Sequence, residues 1–272
     1  MHSNVLRAGI AVLAICQLVL GWGLYQRLGW AEPIWPWPDT PLNYRFVGAM
    51  LLSQGATMAW TAWTMTLRAS LGGLVGFTMT TAGIAAYMAW VAVRQVSPSP
   101  MLWVWVIVCG ALAASTLLLA VHASHQPRGP HAATPAVVRA SFLLFAIALT
   151  IATVLLFGQA PVVFPWKLSP ESSVVYGLLF VASAVYFLDG WLRPGSDNAP
   201  GQLIGFLVYD LALLPPWIAH WAKATGGFRI SLIIYLVVLI WSGLLAVAYL
   251  GWRVRSSARG RRSVAGVVEY RR

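Results

Sequence analysis

The chain has 272 residues, of which 59% are hydrophobic and only 9% are charged, and its formal net charge is +11. Soluble domains carry about 25% charged residues, so this composition excludes a soluble fold, and with it disorder, collagen and coiled coil. The class that remains is a polytopic membrane protein, in agreement with a mean hydropathy of +0.74.

Eight continuous apolar stretches are each long enough to cross the hydrocarbon core of a bilayer. A spanning helix needs about 20 residues, and a continuous apolar pattern favours helices over the alternating pattern of a β-barrel. We therefore predict an all-α integral membrane fold with eight transmembrane helices. The predicted spans are 5–25, 45–66, 72–94, 101–121, 137–157, 173–193, 202–221 and 229–252.

Four of these helices have a start signal in which a hydroxyl residue precedes a proline. The hydroxyl oxygen suits an N-cap, and proline at the first helical position loses no hydrogen bond, because that N–H has no partner within the helix. The four signals are Thr40-Pro41, Ser99-Pro100, Thr134-Pro135 and Ser169-Pro170.

The basic residues predict the orientation of the bundle. An even number of spans puts both termini on one side, and that side carries more arginine, above all in the segment 253–272. The positive-inside rule then places both termini in the cytoplasm of a cell-membrane protein, with 259–272 as a basic tail. No aromatic and basic recognition module accompanies the charge, so binding of nucleic acid is not predicted.

The two halves of the chain resemble each other. Residues 35–41 (WPWPDTP) align with 164–170 (FPWKLSP) at an offset of 129, and the same offset aligns 72–77 (GGLVGF) with 201–206 (GQLIGF). We predict two tandem four-helix repeats, 1–129 and 130–258. Because each repeat has an even number of spans, the two are parallel rather than inverted.

The repeated loop, [FW]-P-W-x-x-[TS]-P before a helix rich in small residues, resembles repeats in uncharacterised bacterial multi-pass membrane proteins. In those proteins the loop reads close to F-P-W-P-L-T-P. The resemblance covers the two loops and the helices that follow them. It implies a shared fold and no particular activity.

Asp210 is the most unusual residue for its position, since it falls near the middle of the seventh span. A charged aspartate there costs about 2.5–3.5 kcal/mol, which makes such residues functional candidates. Pro215 and Pro216 free the carbonyls one turn earlier, and Gln17 and Gln54 lie at similar depth. These residues form a candidate intramembrane polar site; the alternative is a protonated aspartate that joins two helices by a hydrogen bond.

Two further features have both a functional and a structural interpretation. Tryptophans of the repeated loops form either a surface for a partner or ligand, or an aromatic belt at the membrane interface; they are Trp35, Trp37 and Trp166. Small residues four apart favour close helix packing, within a repeat, between repeats or between two copies; they are Gly72, Gly76, Gly201 and Gly205.

No catalytic motif, metal site or cofactor site is predicted. His122, His125 and His131 lie on the connector between the repeats, without a nearby cysteine or carboxylate. Asp189 and Arg193 are spaced as an i,i+4 ion pair at a helix end. The predicted function is a structural or accessory membrane component or a holder of a lipophilic ligand, in contact with the bilayer and with a membrane partner or a second copy. The alternatives are a small transporter or channel that uses Asp210, and an intramembrane enzyme.

Overall fold

The computed structural model describes residues 2–37, 39–127, 133–195 and 197–269, with side chains described from 4 to 256 within those ranges. It confirms the all-α class: the described residues form eight long α-helices and one short 3-10 turn, Glu32–Ile34, with no strand. The helices are α1 His2–Tyr25, α2 Pro41–Thr64, α3 Leu71–Arg94, α4 Pro100–Ser124, α5 Ala136–Phe157, α6 Pro170–Leu192, α7 Asn198–His220 and α8 Gly226–Glu269.

Three of the four start signals act as predicted. The hydroxyl oxygens of Thr40, Ser99 and Ser169 accept hydrogen bonds from backbone N–H groups in the first turns of α2, α4 and α6. The prediction at Thr134 is wrong, because Pro135 itself is the N-cap of α5. The Thr134 hydroxyl instead donates to the carbonyl of Gly195, 3.2 Å away.

Seven of the described helices are long and apolar enough to cross a membrane. The exception is α2, which is as long as its neighbours but carries amide and hydroxyl side chains along much of its length. Its polar groups lie inside the bundle, where Ser53 and Thr57 donate to carbonyls of α7. The lower hydropathy of α2 therefore comes from residues that pack against other helices.

The main helix contacts arrange the bundle in two rows of four. In one row the order of neighbours is α1, α2, α7 and α8, and in the other it is α4, α3, α6 and α5. Each row thus joins a hairpin from the first half of the chain to a hairpin from the second half. Successive helices run in opposite directions. The start of α1, the end of α6 and the start of α7 therefore lie at one end of the bundle, which we call the termini side. The opposite end is called the loop side.

The apolar core differs between the two sides. On the loop side, one cluster spans both rows and includes Phe46, Phe164 and Trp217. On the termini side there are two clusters, one around Ile10 and the other around Phe142. The bundle is therefore packed continuously at the loop side and in two parts at the termini side.

Glycines bring the middle helices of each row into close contact. A Cβ on Gly76 of α3 would lie 2.7 Å from the carbonyl oxygen of Ala182 of α6, and one on Gly205 of α7 would lie 2.6 Å from the Thr57 hydroxyl of α2. Gly72 and Gly201 contact the same partner helices one turn away. The two small-residue motifs therefore join the two halves of the chain, as small residues do in lipid.

Replacing Gly76 by alanine should destabilise the protein. The new methyl group has to displace backbone, which is expected to cost about 1–3 kcal/mol and to lower the thermal unfolding temperature in detergent. Gly110→Ala in α4 is the matched control, because nothing lies within 4 Å of a Cβ at that helical position. Equal unfolding temperatures for the two variants would contradict the close contact between α3 and α6.

Candidate functional site

A cavity of about 540 Å³ lies between the two rows and is lined by residues from all eight helices. Most of the lining is aliphatic or aromatic. The polar groups in it are serine, threonine and tyrosine hydroxyls and two amides, Gln54 and Gln202. No aspartate, glutamate, lysine or arginine belongs to the described lining, so this central cavity suits an apolar occupant.

The central cavity reaches the lipid-facing surface between α5 and α8. Ile151 and Leu155 of α5 and Ile234 of α8 line the cavity, and they are also 56%, 44% and 58% exposed. Towards the termini side the same two helices are closed by a hydrogen bond from the Trp241 indole to the Ser141 hydroxyl, at 3.2 Å. The mouth of the cavity therefore lies in the loop-side half of these helices.

A second, more polar pocket of about 830 Å³ lies at the termini side, between the loop 65–69 and the end of α6. Asp189 is buried there and forms an ion pair with Arg193, with 2.7 Å between Oδ1 and Nη2, which confirms the predicted i,i+4 pair. The Asn198 amide lies 3.4 Å from the other oxygen of Asp189. Arg68 also lines this pocket; the sequence indicates it only as one of the arginines on the termini side and gives no sign of a binding site there.

Asp210 is 1% exposed and faces α8. Its Oδ1 accepts a hydrogen bond from the Ser242 hydroxyl at 3.0 Å, and its Oδ2 would lie 3.4 Å from a Cβ on Gly243. Oδ2 is buried and has no hydrogen-bond partner among the described residues. Asp210 is not one of the residues that line the central cavity. Its polar contact in the described structure is the hydrogen bond from Ser242, which joins α7 to α8.

The other members of the predicted polar site are not brought to Asp210. One of the freed carbonyls, that of Ala212, accepts a hydrogen bond from the Tyr25 hydroxyl of α1 at 2.7 Å. Gln54 lines the central cavity, and Gln17 has a buried amide oxygen without a partner among the described residues. No described hydrogen bond joins either glutamine to Asp210. The prolines thus provide an acceptor for a neighbouring helix.

Two of the three loop tryptophans are buried and the third, Trp37, is half-buried, so they do not form the exposed surface that was one of the two interpretations. Trp35 and Trp166 are each 7% exposed. Trp35 packs edge-on against Trp37 and against Trp105 of α4, and Trp166 packs against Trp217 of α7. The loops fold back over the loop side of the bundle because aromatic partners there bury their rings.

A network of polar side chains joins the two loops. The Trp166 indole donates to the Asn43 amide oxygen at 2.5 Å, and the Ser172 hydroxyl donates to Asp39 Oδ2 at 2.6 Å. The Asn43 amide in turn donates to Asp39 Oδ1. This loop-side network connects the start of α2 with the loop before α6 and with the start of α6.

The connector histidines show no metal-binding arrangement in the part of the chain that is described. No group of three histidine, cysteine, aspartate or glutamate side chains lies together there. The His122 ring contacts the Gln126 amide, and His131 lies outside the described residues.

Helices of this length and apolar character, which expose large hydrophobic side chains, identify the chain as a multi-pass helical membrane protein in contact with the lipid bilayer. Comparisons with protein-family models, with curated proteins and with solved structures find no match to this chain.

If Asp210 joins α7 to α8, then Asp210 and Ser242 should be energetically coupled. A double-mutant cycle with Asp210→Ala and Ser242→Ala, followed by unfolding in detergent or bicelles, should give a coupling energy of about 0.6 kcal/mol, the average for hydrogen bonds between membrane helices. Ser231→Ala is the control, because Ser231 is on α8 but donates to Val162. Additive effects in both cycles would contradict the role of Asp210 as a helix contact.

Trp166→Phe should weaken the loop-side network. The variant keeps an aromatic ring but leaves the buried oxygen of Asn43 without its donor, which is expected to cost about 1–3 kcal/mol. Trp63→Phe is the control, because Trp63 is 82% exposed. The unfolding temperatures of both variants, compared with the wild type, measure the loss of stability. If Trp166→Phe lowers the unfolding temperature no more than Trp63→Phe does, the network is contradicted.

Proposed function

We propose that this protein is a non-catalytic membrane component that holds a lipophilic ligand in the central cavity. The observation that carries the proposal is the cavity itself, with about 540 Å³ of volume, a largely apolar lining and a mouth at the lipid-facing surface between α5 and α8. Ligand pockets are usually about 300–1,000 Å³ and mostly apolar, with a few polar groups that orient the ligand. A mouth in the bilayer admits ligands that partition into lipid.

The same cavity supports the proposed architecture of two parallel four-helix repeats. Residues that align at the offset of 129 line it from both halves: Ser53 and Ala182, Gln54 and Ser183, Thr57 and Tyr186, Gly73 and Gln202, Gly76 and Gly205. The helix contacts repeat in the same way. In the aligned repeats α2 corresponds to α6 and α3 corresponds to α7, so the contact between α2 and α7 is equivalent to the contact between α6 and α3. The proposed boundary between the repeats, after residue 129, lies outside the described residues.

We further propose that α2 crosses the membrane as an eighth span, and that both termini and the basic tail 259–272 lie in the cytoplasm of a cell-membrane protein. The equal length of α2 and its place between α1 and α7 support the first point. The excess of arginine at the termini side supports the second. Kinship with the bacterial multi-pass proteins that share the loop pattern fits this architecture, and an accessory role includes binding to a membrane partner or to a second copy.

A small transporter or channel that uses Asp210 is the second candidate function. The unpartnered Oδ2 of Asp210 favours it, because a buried carboxylate oxygen without a donor is able to bind a proton or a cation. The position of Asp210 outside the described lining of the central cavity favours the first candidate. Flux across liposomes that contain wild type or Asp210→Asn separates the two, and unchanged flux excludes a transport role for Asp210.

Blocking the cavity should remove the ligand. Ser183 of α6 lines the cavity and its hydroxyl bonds only within its own helix in the described structure, so Ser183→Trp fills space without breaking a contact between helices. We expect lipid extraction and mass spectrometry after purification in mild detergent to find a stoichiometric lipophilic compound in the wild type and not in the variant.

Leu188→Trp is the control for this experiment. Leu188 is on the same helix and is 39% exposed, but it does not line the cavity, so the bound compound should be retained. A wild-type protein purified without any bound compound, or equal occupancy of wild type and Ser183→Trp, would contradict the proposal.

A further inference from the structure

The polar pocket and the central cavity adjoin each other along the bundle. On each of three helices, a residue that lines the central cavity is followed about one turn towards the termini side by one that lines the polar pocket. An amphiphile whose apolar tail lies in the cavity therefore needs to extend only about one helical turn to place its head in the polar pocket. The adjoining residues are Ile10 and Leu6 on α1, Leu119 and His122 on α4, and Gln202 and Asn198 on α7.

Both acids of the polar pocket already have basic partners. Asp189 pairs with Arg193 at 2.7 Å, and Asp197 lies 3.7 Å from Arg253. Each of the two acids thus has an ion-pair partner other than the remaining arginine of the pocket, which interacts with Asp189 only at longer range.

That arginine is Arg68, on the loop between α2 and α3. One of its guanidinium nitrogens, Nη1, donates to the carbonyl of Ser124 at the end of α4, at 2.6 Å. Within the described part of the chain no carboxylate lies within 4 Å of it. The carbonyl orients the guanidinium but carries no charge, so Arg68 is able to bind an anionic group.

Two buried hydrogen-bond acceptors beside the polar pocket indicate a second polar group in the head of the ligand. Asn198 is 7% exposed and lines the polar pocket, and its amide oxygen has no donor among the described residues. The amide oxygen of Gln202, which is 1% exposed, is in the same situation one turn further into the bundle. Buried acceptors without a donor are rare in native proteins, and a hydroxyl of a ligand would satisfy one.

We propose that the ligand is a single-chain amphiphile with an anionic head that also carries a hydroxyl group, such as a monoacyl glycerophosphate. The acyl chain occupies the central cavity, the anionic group binds Arg68, and the hydroxyl donates to Asn198. This inference rests on the proposed function, since it names the chemical class of the ligand held in the same cavity.

Equilibrium binding to the purified full-length protein in neutral detergent tests the proposal with three probes of equal chain length. Oleoyl lysophosphatidate carries both the anion and the hydroxyl, oleate carries the anion alone, and monoolein carries hydroxyls without charge. We expect lysophosphatidate to bind most tightly. Arg68→Gln should weaken its binding about tenfold or more, as expected for loss of a charge-assisted hydrogen bond, and should leave monoolein unchanged.

Arg139→Gln is the matched control, because Arg139 is also at the termini side and donates to a helix-end carbonyl, that of Trp191, but does not line the pocket. Arg68→Lys keeps the charge and should retain most of the affinity, which separates loss of charge from loss of fold. The proposal is overturned if Arg68→Gln weakens lysophosphatidate no more than Arg139→Gln does, or if Arg68→Lys loses as much affinity as Arg68→Gln.

The binding experiment also separates this proposal from the proposed function. If monoolein binds to the wild type and not to Ser183→Trp, while Arg68→Gln has no effect on lysophosphatidate, then the cavity holds lipophilic ligands and the assigned head is wrong. If none of the three probes binds to the wild type, the proposed function is contradicted, and so is the proposal of an anionic head that carries a hydroxyl group.

Discussion

The rest of the bundle depends on the backbone contact between α2 and α7 and between α3 and α6. Helices in lipid gain no hydrophobic energy from one another, so close van der Waals contact and interhelical hydrogen bonds have to hold them. At these two contacts the Gly76 and Gly205 positions leave no space for a side chain. Ser53 and Thr57 add hydrogen bonds to carbonyls of α7. Because packing is concentrated within the rows, the space that remains lies between them, and that space is the central cavity.

The helices could be predicted from the sequence because their signals are local. A continuous apolar stretch with a hydroxyl and a proline before it needs no knowledge of the rest of the chain, and Thr40, Ser99 and Ser169 behave accordingly. Thr134 has the same local signal and differs because a partner distant in the sequence, Gly195, takes its hydroxyl. Tertiary contacts of this kind are invisible to a local pattern.

Much of the candidate site depended on contacts that no local pattern encodes. The depth of Asp210 followed from its place in the span, but its partner Ser242 depends on the register of α7 against α8. The burial of Trp35 and Trp166 was not predicted, since an indole suits the membrane interface and an aromatic core equally well. The place of Arg68 in a pocket could not be predicted, because that pocket forms only when the loop 65–69 meets residues 193–198, more than a hundred positions later.

The loop-side network has a consequence for the order in which the chain is assembled in the membrane. Asp39 and Asn43 belong to the first half, yet Asp39 Oδ2 and the Asn43 amide oxygen have their donors, Ser172 and Trp166, in the second half. Until those residues have been synthesised and inserted, the first four helices carry two acceptors that only water or lipid headgroups can satisfy. The first half is thus a complete set of helices whose polar end is incomplete, and it becomes a finished structure only when the second half closes over it.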